Sequence, residues 1–195
     1  MTTLTYAQTA WSLADLFKTS ADVEAAFTRL EQEVAAIETL RPALRADIPA
    51  DEFLAIVKKM EALQEQGYRL YGYAGLSFSA NTQDQAALSL MGRVEQFMAE
   101  MGNRTLFFSL WWKALDDANA QRLMQGAGDF AYWLEEMRHF KPHTLSEAEE
   151  KVINIKNVTG SSAIERLYDS FTNRYTFKIQ VNGETREVTR GELMV

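Results

Sequence analysis

Cysteine is absent from this chain, which excludes disulfides, thiolate zinc sites and cysteine nucleophiles and suits a reducing compartment. Histidine is nearly as scarce, with only His139 and His143 present. Three prolines and ten glycines in 195 residues predict short loops and abundant helix. No uninterrupted apolar run approaches the length that spans a bilayer. The opening MTTLTYAQTAWSLADLF has no basic stretch followed by an apolar one, so no secretory signal is visible. Clustered positive charge is missing as well, for the net charge is −7 and Lys and Arg are scattered. Phosphate recognition needs grouped basic side chains, so neither a nucleic-acid nor a membrane partner is expected. Peptides or proteins are the more natural partners.

What is present reads mostly as helix. With 47% hydrophobic and 24% charged residues the chain can bury one sizeable core. Val23, Phe27, Leu30, Val34 and Ile37 form a narrow apolar seam at spacings of 4, 3, 4 and 3, suited to packing on another helix. Pro42 and Pro49 bracket the next connection. Phe53, Ile56, Val57, Met60, Leu63, Gly67, Leu70, Tyr71 and Ala74 mark a second helix. Asn81 and Thr82 read as a cap, with Gln85 completing a capping box before a third helix. That helix carries Ala87, Leu90, Met91, Val94, Phe97, Met98, Met101, Phe108, Trp112 and Leu115 on one stripe. A fourth, from about Asn119 to Met137, presents Leu123, Met124, Ala127, Ala131, Leu134 and Met137.

The fold expected is mainly α: an antiparallel bundle of long helices over 1–140, then short helices and a C-terminal β-hairpin over 141–195, in the same domain. Ser146 with Glu149, and Ser162 with Glu165 after Gly160, read as capping boxes of two short helices. From Tyr175 to Val181 apolar and polar residues alternate as in a half-buried strand. Asn182-Gly183 suits a type I′ turn, and Glu184 to Thr189 returns as a second strand. Two strands alone are marginal in water, so the hairpin must rest on something. Thr189-Arg190-Gly191-Glu192 is a last capping box, with Leu193 and Met194 behind it and Val195 at the end. A helix start with so little after it is expected of a piece of a longer polypeptide.

Candidate chemistry thins out on inspection. His139 and His143 have the spacing of a His-Glu-x-x-His zinc helix, but Phe140 stands where the general base belongs and Pro142 interrupts the helix. Glu136 and His139 match one Glu-x-x-His of a di-iron bundle, which needs a second such motif and two further carboxylates. The pair reads as a surface Glu and a helix-end His. Tyr68, Tyr71, Tyr73 and Phe78, and Phe107, Phe108, Trp111 and Trp112, could line a cleft but read as core. Adjacent residues such as Trp111 and Trp112 point in different directions, so one of each pair is expected to be exposed or to meet a partner. Thr159-Gly160-Ser161-Ser162 lacks the Lys and second Gly of a phosphate loop and reads as a cap. No Gly-x-Ser-x-Gly elbow occurs. No catalytic, metal-binding or substrate-binding residue is therefore assigned.

Five segments stand out in order: Trp11-Ser-Leu-Ala-Asp-Leu-Phe17; Tyr71-Gly-Tyr-Ala-Gly-Leu-Ser-Phe-Ser-Ala-Asn-Thr-Gln83; Phe140-Lys-Pro-His-Thr-Leu-Ser-Glu-Ala-Glu-Glu150; Thr159-Gly160; and Arg166-Leu-Tyr-Asp-Ser-Phe171. In that order they resemble the N-terminal region of the oligoendopeptidase F family, zinc metallopeptidases related to thimet oligopeptidase, with Asn81 in a position often held by Asp. The resemblance implies a cytoplasmic enzyme that cleaves short peptides in a cleft between two lobes. It also implies one Zn²⁺ held by a His-Glu-x-x-His helix and a further Glu, with the motif's Glu as general base. None of those residues occurs in this sequence, and His143 falls in a structural Pro-His-Thr-Leu segment. The expectation is a non-catalytic wall of a peptide cleft. Its partners would be an absent downstream catalytic domain carrying the zinc, and the oligopeptide substrate. The rival is a free-standing helical scaffold or adaptor that binds a partner helix; a di-iron enzyme is a distant third.

Overall fold

The computed structural model describes residues 12–181 and 183–193. Helix α1, Ser20–Glu38, starts at a capping box in which Thr19 Oγ1 accepts from the Asp22 amide and Asp22 Oδ2 accepts from the Thr19 amide. Its seam of Val23, Phe27, Leu30, Val34 and Ile37 is buried throughout, as the spacing predicts. Helix α2, Ala50–Ala80, begins directly after Pro49, with Asp51 and Glu52 in a first turn whose dipole favours negative charge. Helix α3 is Gln85–Ala114. The short link between these two long helices turns the chain back on itself. Arg93 pairs with Glu24, and Arg104 with Glu31 and Glu38, so α1 runs parallel to α3. The three helices thus stack up, down, up.

The bundle closes around Phe53 of α2, whose ring lies 6.1 Å from Phe108 and 5.2 Å from Trp112. Trp112 is fully buried, and its indole N–H donates to the carbonyl of Leu134 at 2.8 Å. A buried indole needs such a partner, and this one fastens α3 to the helical segment that follows. There the prediction of one long fourth helix is corrected. Helix α4 spans Asp117–Gln125, a 3₁₀ turn follows at Gly128–Phe130, and α5 spans Ala131–His139. Gly128 at φ 57 is the break, since the left-handed region favours glycine. Bent there, the segment lets α4 and α5 cover one end of the bundle. Arg138 donates to the carbonyls of Trp112 and Leu115 at 2.6 and 2.9 Å, filling acceptors left open at the end of α3.

Three further expectations are revised. The cap of α3 is Asp84, which accepts from the amides of Ala86 and Ala87, while Asn81 ends α2. Asp offers a better-placed acceptor than Thr82, one residue before the first helical turn. Phe107 and Phe108 are both buried, and Trp111 packs half-buried beside Trp112. Adjacent residues do point apart, but α3 touches α1 and α2 on one side and α5 and α6 on the other, so both directions lead into packed structure. Tyr68 and Tyr71, read as core, are instead exposed.

After a single 3₁₀ turn at Lys141–His143, the chain forms an arm. It comprises α6, Glu147–Thr159; α7, Ser161–Thr172; strands β1, Thr176–Val181, and β2, Glu184–Thr189; and a last turn, α8, Arg190–Leu193. The Ser146–Glu149 capping box is present. The one predicted at Ser162 is not, because α7 starts one residue earlier, at Ser161, with Gly160 at its cap position. A Cβ on Gly160 would lie 2.8 Å from the Lys156 carbonyl oxygen, so the tight α6–α7 junction needs glycine. The strands pair antiparallel from Thr176 opposite Thr189 to Val181 opposite Glu184, which fixes a two-residue loop. Gly183 has the positive φ, 86, that such a loop demands. Asn182, Trp11 and Met194 lie outside the described residues, as does the side chain of Glu192, on which the last capping box depends.

Candidate functional site

His139 closes α5 on the surface, its Nδ1 3.3 Å from Glu136 Oε1. His143 sits in the next turn, beyond Pro142. Proline has ended the helix between them, so the two imidazoles share no helical face. No group of three or more His, Asp or Glu among the described residues could hold a metal ion. Glu136 and His139 make a local side-chain contact, three residues apart on one helix.

The shifted carboxylates tell the same story. Glu147 is pushed down to about 2, first by its hydrogen bond to Arg41 and then by that to Lys151. Glu38 is lowered by Arg104, Glu24 by Arg93 and Asp117 by Arg138. Each is stabilised in its charged form by a cation, whereas a general acid needs a carboxyl held protonated near neutral pH. These groups clamp helices together.

What the arm does offer is a surface. On α7, Ile164, Leu167, Tyr168 and Phe171 recur at the spacing of one helical stripe, yet they are 66%, 68%, 57% and 59% exposed. Tyr175 meets Phe171 edge to face at 5.2 Å, and Val152 and Ile153 on α6 and Phe177 on β1 are exposed as well. The side of α7 that meets the bundle is polar instead. Arg166 forms a buried ion pair with Glu95 of α3. Further along, Arg174 donates to Gln83 at 3.0 Å. On α6, Asn154 donates to Asn103 at 2.9 Å and Asn103 to the Lys151 carbonyl at 3.2 Å. The usual arrangement of an amphipathic helix is thereby inverted: charge inside, apolar stripe outside.

Arg166 stands in the Arg166–Phe171 segment, but its partner is not legible in the sequence. Glu95 lies 71 positions away on a helix of ordinary composition, and no local pattern announces a pairing across that distance. The apolar stripe at 164, 167, 168 and 171 could have been found from its period alone. The motif residues serve structure: Tyr71–Gln83 is the end of α2 and its turn, and Phe140–Glu150 is the turn and cap that launch α6.

A second open feature is a groove of about 990 Å³ between α2, α3 and α5, beneath Trp133. Its lining comes from the bundle, and no residue of the arm's stripe contributes to it.

Comparison with known proteins places these features in one context. A family model described as Oligopeptidase F matches residues 111–177. The chain is 23% identical over 146 residues to the plasmid-borne oligoendopeptidase F of Lactococcus lactis subsp. cremoris, covering 73% of this chain and 24% of that protein. The same values hold for an oligoendopeptidase F homolog of Lactococcus lactis subsp. lactis (strain IL1403). The crystal structure of oligoendopeptidase-F from Enterococcus faecium matches with a TM-score of 0.74 at 17% identity, over 89% of this chain and 35% of that one. The chain therefore spans about a quarter of the length of the curated relatives it matches. In fold over nearly all its length, and in sequence over most of it, the chain is similar to the N-terminal region of the oligoendopeptidase F family.

Proposed function

We propose that this chain acts as the N-terminal domain of a zinc-dependent oligoendopeptidase, forming one wall of the cleft in which short peptides are hydrolysed. The observation that carries the reading is the uncovered stripe of Ile164, Leu167, Tyr168 and Phe171. It falls inside the segment that the family model matches. An apolar face of that kind is built to be covered, and the matched segment is only 24% of the relative's length, which leaves ample chain for a covering lobe in this reading. The side chains of this chain do not fit a catalytic zinc: His139 and His143 stand apart, and no third ligand joins either among the described residues. In this reading the metal and its general base belong to another part of the polypeptide. The helical wall excludes folded proteins and keeps water from the bound peptide, which strengthens electrostatic interactions beside it. The chain then resides in the cytoplasm, where short peptides are at hand and no disulfide is needed.

A free-standing adaptor is the second reading, because the same stripe has the spacing that a partner helix recognises. The test is to express the whole polypeptide encoded by the gene, alongside this chain alone, and to measure zinc content and cleavage of a quenched peptide. The peptidase reading expects one zinc and turnover from the whole polypeptide, and neither from this chain. Stoichiometric zinc on the isolated chain, or a full-length product with no turnover, overturns it.

A further inference from the structure

The groove between α2, α3 and α5 has walls of two kinds. Its floor is apolar and aromatic, with Val57, Met60, Leu106 and Phe108 below and Trp133 above. Trp133 stacks on Phe108 at 6.4 Å and 11°, which holds the indole in place, yet it remains 43% exposed. Its rim carries Glu61 and Glu65, one helical turn apart on α2, and Asp129 opposite, in the 3₁₀ turn before α5. No lysine or arginine lines the groove. None of the three carboxylates forms an ion pair among the described residues, although carboxylates elsewhere on this surface are repeatedly matched with arginine. A fixed, half-open indole beside three unmatched carboxylates is a receptor for cationic side chains, by charge and by cation–π attraction.

We propose that this groove binds a short basic peptide segment in which lysine or arginine alternates with apolar residues. Length supports a short occupant. From Val57 to Tyr68 the groove follows α2 for roughly 16 Å at 1.5 Å per residue. An extended peptide rises about 3.3 Å per residue, so about five residues fill it. Alternation suits the walls, because successive side chains of an extended segment point to opposite sides: one set to the aromatic floor, the other to the acidic rim. The inference does not depend on the peptidase reading, for the groove contains no group that reading uses and is complete within this chain.

The probe is a dye-labelled hexapeptide alternating leucine and lysine, acetylated and amidated, followed by fluorescence anisotropy against the full chain. The control peptide alternates leucine and glutamate. The basic peptide is expected to bind at least tenfold more tightly than the acidic one. Its affinity should drop at least tenfold in a Glu61→Gln, Glu65→Gln, Asp129→Asn variant, and several-fold in Trp133→Leu. A variant with the same change of net charge at remote exposed positions, Asp15→Asn, Asp47→Asn and Glu184→Gln, should bind like the parent. These exposed substitutions leave the core untouched, and circular dichroism confirms that each variant is folded. Equal binding of the two peptides, no binding of the basic one, or equal weakening by the remote substitutions would overturn the proposal.

Discussion

Removing Arg166 is the sharpest probe of how the arm is held. Its guanidinium pairs with Glu95, whose side chain is 8% exposed, while Arg166 itself is 20% exposed. Breaking a buried pair by deleting one partner costs 3–5 kcal/mol, because the other charge is left without compensation. With Arg166 partly solvated, the lower end applies, about 3 kcal/mol for Arg166→Met. The loss should be local. α7 meets the bundle through polar contacts, and its apolar stripe is left mostly exposed. Opening the joint therefore need not unfold the α1–α3 core, and subglobal opening of this kind is what amide exchange resolves. In Arg166→Met, amides of α7 and the hairpin should exchange roughly 100-fold faster, as about 3 kcal/mol requires, with α1–α3 unchanged. Glu95→Leu with Arg166→Met should restore much of the protection, since an apolar pair can replace an ion pair at little cost. Unchanged exchange in the single variant, or a double variant as loose as the single, would refute the claim that this pair anchors α7.

Three other outcomes follow from the same contacts. Phe53→Ala should lower stability in urea by about 3–5 kcal/mol, since the ring is fully buried between Phe108 and Trp112. Serine at Ile164, Leu167 and Phe171 together should cost little stability, because all three are exposed, and should lower binding of a hydrophobic dye and any self-association on a sizing column. Glu147, held at about 2 against an ordinary 4.5 by Arg41 and Lys151, contributes stability that is present above the ordinary value and lost as pH falls toward 2. With Arg41 well exposed, the effect after solvent screening is about 1 kcal/mol. Denaturation midpoints of Glu147→Gln and the parent should converge as the solution is acidified.

Local periodicity made the bundle legible. The five-residue seam of α1 is buried to the last member, and α2 follows its predicted stripe except at Tyr71, while α3, packed on two sides, buries Phe107 beyond its stripe. The fourth helix failed where a backbone angle overrode side-chain pattern: Leu123, Ala127 and Leu134 keep helical spacing, yet Gly128 at φ 57 breaks the axis. Capping residues misled where two candidates compete within one turn, as Thr82 and Asp84 do. The groove was invisible for a different reason. Glu61, Trp133 and Asp129 come from two separate segments, and only the packing of the bundle brings them to one groove.

The arm's inverted polarity carries a thermodynamic consequence. An amphipathic helix ordinarily gains its stability by burying the apolar side, about 1.5–3 kcal/mol for each large residue fully covered. α7 is docked by Arg166, with Arg174 just beyond its end, and leaves that gain unrealised. Polar joints fix orientation well but contribute modestly in net terms, since water competes for every group. The arm should therefore be the least stable part of the isolated chain and the part most stabilised by whatever covers the stripe. A covering surface that binds only the docked arm adds its own binding energy to the arm's stability. A lobe of the kind proposed above, or a partner helix, should accordingly slow exchange in α6, α7 and the hairpin far more than in α1 to α3. Uniform protection across both regions would mean that the stripe is not the surface being covered.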